Sequence, residues 1–294
     1  MDKFEQLFAQ YDCDLMNDEQ VKAETAELLE KHFAENNHKE TWMQCLNQID
    51  LTTLSIDDTT ERVVRMAEHV NDFAATFPGL KNVAAICVYP ALVPSVKKAL
   101  KTDGIGIASC CGGFPASQTF AEIKVAETSL AVMEGSTEVD VVLSVGKFLE
   151  GRYDEAYDEL CEMKAACRDA HLKVILETGA LHTAANIKRA SILAMQAGAD
   201  FIKTSTGKIS VSATVEAAYV MCHAIRQWHE KTGIKVGFKA AGGISTTDDA
   251  VRYYTIVKEI LGTEWLNNQS FRFGASRLAN NLLTSIQGSE TKFF

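Results

Sequence analysis

Eight short runs rich in Val, Ile and Cys recur along this chain, and this recurrence constrains the fold more than any other feature. They lie at 49–54, 83–89, 104–110, 138–144, 173–177, 201–206, 235–241 and 271–275. Their starts are far enough apart for a strand, a loop and a crossover helix each time, which is the spacing of repeated βα units. Between them, the segments 125–133, 157–167, 187–195 and 215–228 set small or apolar residues three and four apart, so each can lay one helical face on a parallel sheet. Eight such units predict an α/β fold, a (β/α)₈ TIM barrel. An open doubly wound sheet would carry G-x-G-x-x-G after its first strand, and that signature is missing.

The punctuation agrees with this reading. Asp57, Asp58, Thr59, Thr60 and Glu61 supply caps and first-turn acids for the first crossover helix, and Gly135 and Gly198 stand where later helices should stop. The prolines at 78, 90, 94 and 115 fall in loops or at element boundaries. We divide the chain into an N-terminal helical extension, residues 1–45, and a barrel domain, residues 46–294. The extension contains QVKAETAELLEKHFAE, expected to pack on or near the barrel mouth or floor. The alternative is an oligomerisation arm, and a homodimer is compatible with the sequence.

A chain of 294 residues with 47% apolar content can bury a sizeable core without disulfides or a structural metal. Its eight cysteines form no C-x-x-C pair, pointing to a reducing, cytoplasmic setting. The start MDKFEQLFAQYDCD places acids where a secretory signal needs basic and apolar residues. No apolar stretch reaches the length of a membrane span. A net charge of -10 argues against nucleic acid and membrane surfaces as partners. It leaves room for one small phosphate ester held by amides and a lysine.

In a barrel of this kind reactive groups gather at the carboxyl ends of the strands. Those ends are polar here: Asp50 and Thr52, Cys87 and Tyr89, Asp140, Glu177 and Thr178, Lys203, Thr204 and Thr206, and Lys239. Lys203 stands out within FIKTSTGK, because a buried ammonium is costly unless paired and a neutral amine attacks carbonyls. Lys239 occupies the equivalent place on the next strand, where two ammonium groups side by side disfavour each other's proton. Spacing alone leaves open which is the nucleophile and which the tuner. Asp140, within Val-Asp-Val-Val, is read either as a proton relay or as the ion pair that holds the lysines. Gly207 and Lys208, Gly242 and Gly243, and Gly274 and Ser276 follow strands six, seven and eight, the corner where such barrels seat phosphate. Cys87, Cys110 and Cys111 are expected to serve as small buried residues. The seven histidines fall outside the expected strand ends, so neither a metal nor another cofactor is expected.

At these positions the chain resembles the deoxyribose-phosphate aldolases. The matching segments are IDLTTL, AAICVYP, GFPASQT, EVDVV, KVILETG, AGADFIKTSTGK, VGFKAAGG and FRFGAS, running from residue 49 to 276. The resemblance implies a class I aldolase acting on a small phosphorylated aldehyde, with Lys203 as the Schiff-base lysine. It further implies that Lys239 lowers the pKa of Lys203 and joins Asp140 in proton transfer through a water. Asp50, Thr52, Cys87 and Thr206 would line the pocket, and Gly207, Lys208, Gly242, Gly243, Gly274 and Ser276 would hold the phosphate. Ala240, Ala180 and Arg277 depart from the family's usual proline, glutamate and small residue. The chain ends Phe293-Phe294, where some relatives end in a tyrosine that assists proton transfer. A different Schiff-base aldolase of the transaldolase type, or a non-catalytic sugar-phosphate-binding barrel, are the competing readings.

Overall fold

The eight apolar runs become eight parallel strands that pair in chain order and close on themselves, β1 with β8. The structure is a computed structural model describing residues 3–294. The strands are β1 (Ile49–Thr52), β2 (Ala85–Val88), β3 (Gly106–Cys111), β4 (Glu138–Val142), β5 (His171–Ile175), β6 (Phe201–Lys203), β7 (Gly237–Ala241) and β8 (Phe271–Ala275). Three helices precede β1, namely α1 (Lys3–Gln10), α2 (Asp18–Asn36) and α3 (Lys39–Asn47). The others are α4 (Thr60–Thr76), α5 (Val93–Ala99), α6 (Ala121–Glu134), α7 (Val145–Leu149), α8 (Tyr153–Cys167), α9 (Thr178–Leu181), α10 (Ala184–Gln196), α11 (Val215–Thr232), α12 (Thr247–Leu261) and α13 (Arg277–Gln287). Among the described residues no helix is long and apolar enough to cross a membrane.

Alternation along each strand sorts side chains to two sides of the wall. Ile86, Val139, Val141, Leu172, Val174, Ile202, Phe238 and Phe273 are fully buried and belong to the apolar cluster shared with the helices. Each large side chain so buried contributes roughly 1.5–3 kcal/mol. The opposite set fills the barrel interior with glycines and charged groups. A Cβ on Gly237 would stand 2.3 Å from the Phe201 ring, and one on Gly274 would meet Ala241 Cβ at 2.9 Å and Lys239 Cε at 3.1 Å. These glycines make room for the long side chains beside them.

Two strand boundaries differ from the sequence expectation for a visible reason. β5 begins at His171, whose amide donates to Thr137 O, and pairs with β4 from Glu138 onward. β6 ends at Lys203, and although Thr204 keeps backbone bonds to Lys239 O and Thr178 N, its hydroxyl bonds Ala241 N and O, each at 3.0 Å, and beyond it Thr206 turns to Glu177. Side-chain bonds there take over from the ladder.

The N-terminal helices lie along the outer helical layer rather than across either barrel end. Phe8 packs edge-on to Tyr153 of α8, Tyr11 stacks on Trp228 of α11, and α2 and α3 run against α11, α12 and α13. The chain end is also docked outside the barrel. Phe293 and Phe294 pack on Phe73 of α4, and Asn280 of α13 binds both of their backbone amides at 2.9 and 3.0 Å.

Candidate active site

Parallel register sets the charged residues of the barrel interior side by side. Asp140 pairs with Lys173, Lys203 with Lys239, and Lys239 with Arg272. With Asp50 and Glu138 they form one buried network of three carboxylates and four cations. Arg272 binds Asp50 at 2.5 Å and Glu138 at 2.9 Å, while Lys173 binds Asp50 at 3.0 Å, Glu138 at closer range and Asp140 at 3.6 Å. Lys239 bridges Asp50 and Asp140. Lys203 touches one carboxylate oxygen only, Asp140 Oδ2 at 2.7 Å, and shares it with Lys239.

Burial and charge act in opposite directions on these groups. Burial alone would raise the Asp140 carboxyl, but Lys203, Lys239 and Lys173 outweigh it and hold the group below the usual carboxylate range. Asp50 is likewise held well down, against burial, by Lys173, Lys239 and Arg272. For Lys203 burial is the largest single influence and disfavours the ammonium, Asp140 favours it, and Lys239 opposes it, the groups that favour it prevailing only together. The net direction is upward, contrary to the expectation of a lysine already depressed in the resting site. Burial and Lys239 each act in the expected direction but do not prevail.

Above the network opens a pocket of about 290 Å³, lined by Thr52, Leu54, Lys203, Thr206 to Lys208, Ala241 to Ser245 and Gly274 to Arg277. Lys203 is the one member of the buried network on its wall. The far rim is a collar of backbone. Gly207, Gly242 and Gly243 all have φ between 76° and 90°, a region that glycine enters without strain. Lys208 reaches across the mouth and donates from Nζ to Leu54 O. Thr246 and Thr214 accept from the first turns of α12 and α11, whereas Ser276 makes no side-chain cap at α13. The first amides of α13 therefore face the pocket rim uncapped, a natural seat for an anion.

Residues 45–260 match the model of the DeoC/LacD family aldolase. The chain belongs to the DeoC/LacD family of aldolases. It is 44% identical to the deoxyribose-phosphate aldolase of Homo sapiens over 255 residues, covering 82% of this chain and 79% of that protein. It is 45% identical to the mouse deoxyribose-phosphate aldolase, with the same coverage. Among solved structures, the tetrameric deoxyribose phosphate aldolase from Aeropyrum pernix shares the fold, with a TM-score of 0.66 at 22% identity over 87% of this chain and 97% of that chain.

Within this aldolase the residues singled out from sequence separate into two tiers. Lys203, Thr52, Thr206, Gly207, Lys208, Gly242, Gly243, Gly274 and Ser276 line the open pocket. Asp140, Lys239 and Asp50 lie beneath it, and Asp50 is a fully buried partner of three cations rather than a pocket wall. Cys87 is fully buried, beside Cys110. Gly274 has a second role, since its missing Cβ admits Lys239. Glu177, at φ 55°, accepts from Thr206 N at 3.2 Å and from its hydroxyl, and so steadies the turn that carries Lys208.

Three members of the network escaped the sequence reading: Glu138, Lys173 and Arg272. Like Lys203, Arg272 is a cation on a buried strand, set between Phe271 and Phe273, and needs a partner for the same physical reason. Removing the central acid should be costly. Asp50→Asn would leave four cations against two carboxylates, and an unpaired buried charge costs about 3–5 kcal/mol. Urea unfolding should show that loss near neutral pH. A buried lysine without its partner has a depressed pKa, so the unfolded chain binds more protons and the variant should regain stability as pH rises.

Proposed function

We propose that this aldolase cleaves 2-deoxy-D-ribose 5-phosphate reversibly to D-glyceraldehyde 3-phosphate and acetaldehyde through a Schiff base on Lys203. The observation that carries the proposal is that Lys203 alone joins the buried charge network to the pocket wall. Four cations against three carboxylates leave one proton in excess, and Lys203, with a single shared acceptor, is the amine least costly to deprotonate. Asp140 Oδ2 takes that proton as the nitrogen attacks C1, then returns it to expel the carbinolamine oxygen as water. The iminium draws electrons from the C2–C3 bond while Asp140 and Lys239, through a water, accept the C3 hydroxyl proton. Glyceraldehyde 3-phosphate leaves, the enamine is protonated at C2, and hydrolysis frees acetaldehyde and Lys203.

The phosphate sits in the glycine collar, on the amides of Gly207, Gly242, Gly243 and the start of α13, with Lys208 turning from Leu54 O to the anion. Its binding energy is realised away from the bond that breaks, so it holds the reacting carbon in place. The small aldehyde phosphate is thus the partner of the site. The eight free cysteines support a reducing, cytoplasmic setting. Turnover of deoxyribose 5-phosphate with detection of both aldehydes tests the assignment, and dihydroxyacetone used as donor in place of acetaldehyde would redirect it to another Schiff-base aldolase. Unphosphorylated deoxyribose should react about 10–100-fold less efficiently, the scale of one or two charge-assisted hydrogen bonds. Lys208→Ala should narrow that gap, and equal kcat/KM for both sugars in the unaltered enzyme would remove the phosphate site.

A further inference from the structure

Two thiols that the aldol chemistry leaves unused meet beneath the pocket. Cys87 of β2 and Cys110 of β3 point at one another with sulfurs 3.9 Å apart, both fully buried. With an Asp140 carboxylate oxygen they form a triad whose ligand atoms all lie within 4.8 Å of one another. Adjacent Cys110 and Cys111 occupy opposite faces of β3, and Cys111 turns instead to Ser109 at 3.7 Å.

The register argues against a disulfide between the two. Cys87 pairs with Ala108, so Cys110 lies two residues further along its strand. With strands about 4.8 Å apart and a rise of about 3.3 Å per residue, the Cα separation is about 8 Å. A disulfide needs less than about 7 Å. A dithiol that cannot close on itself can still grip an ion, since tetrahedral zinc with Zn–S bonds of about 2.3 Å spans sulfurs about 3.8 Å apart. Asp140 Oδ1 is buried and accepts no hydrogen bond, its nearest cation being Lys173 at 3.6 Å, so the carboxylate has coordinating capacity to spare. Leu54, Phe114 and Ala108 close the surroundings with apolar surface.

We infer that Cys87, Cys110 and Asp140 form an inhibitory binding site for a thiophilic divalent cation such as Zn²⁺ or Cd²⁺. The ion enters through the pocket, both thiols release their protons to solvent, and two metal–sulfur bonds and one metal–carboxylate bond form. The resulting centre, two thiolates and a carboxylate around a dication, carries one negative charge beside the excess positive charge of the network. Asp140 then no longer serves Lys203 and Lys239. Ion binding is independent of the proposed substrate, whereas inhibition rests on the aldolase role of Asp140.

The full chain, reduced with a phosphine and freed of metal with EDTA, should turn over and then be titrated with Cd²⁺. An ultraviolet sulfur-to-cadmium band and an at least tenfold loss of turnover should develop together, saturate at one ion per chain and reverse with EDTA. Cys110→Ala should retain turnover, lose the band and require at least tenfold more Cd²⁺ for inhibition. On the unaltered protein with one equivalent of Zn²⁺, X-ray absorption should report two sulfur neighbours among light atoms. Absence of sulfur ligands, more than two of them, or undiminished inhibition of Cys110→Ala would overturn the site. A full band with undiminished turnover would overturn the inhibitory role. A band that develops on adding Cd²⁺ to protein that, while metal-free, never cleaved deoxyribose 5-phosphate would support the site while rejecting the substrate reading.

Discussion

Lys203→Ala should lose turnover by roughly 10⁴-fold or more, because no other group can form the covalent intermediate. Borohydride reduction in the presence of acetaldehyde or deoxyribose 5-phosphate should place a stable adduct on Lys203 in the unaltered enzyme and none in the variant. The geometry explains the selectivity. Lys173, Lys239 and Arg272 each engage two or more carboxylates in the closed interior, and of the four buried cations only Lys203 reaches the pocket. Peptide mapping by mass spectrometry locates the reduced nitrogen. An adduct on Lys239, with Lys203→Ala still trapping substrate, would reverse the two roles.

Lys239→Met keeps a side chain of similar length but removes the charge that opposes protonation of Lys203. Asp140 Oδ2 then serves Lys203 alone, so the amine pKa rises further and the neutral fraction at pH 7 falls about tenfold for each unit gained. Adduct formation should slow accordingly and its pH profile move to higher pH, so that alkaline conditions restore trapping. Turnover should fall by about 10²–10⁴-fold, the scale of a lost general acid–base partner, and recover less than trapping does, because Lys239 also takes part in proton transfer. The rate of borohydride trapping measured from neutral to alkaline pH checks this. A profile that stays in place or moves to lower pH would show that Lys239 does not tune the nucleophile.

The barrel was legible because its signal is periodic: eight apolar runs, amphipathic spacers and glycine stops each repeat a pattern set by local geometry. Lys203, Lys239 and Asp140 were legible because a charge inside an apolar strand needs a physical reason. Which acid serves which lysine depends on register across strands, and register is non-local. Asp50 therefore read as a pocket residue although it lies under the pocket, and Lys173, sitting where a strand was expected to begin, was not singled out. The resting charge of Lys203 was missed for the same reason, since it turns on a carboxylate 63 positions away in the chain at 2.7 Å. Residues 1–45 had no strand to bind them in sequence, and only tertiary packing reveals that the helices there wrap the flank.

A barrel interior filled with seven ionisable side chains also leaves a calorimetric mark. Unfolding exposes polar atoms where most barrels would expose leucine and valine, and polar exposure lowers the heat-capacity increment that apolar exposure raises. The curve of stability against temperature should accordingly be flatter than chain length alone implies. The penalty for holding those charges out of water shrinks on warming, because ion hydration weakens as temperature rises. The part of the molecule that performs the chemistry is thus also the part whose cohesion fades least with heat.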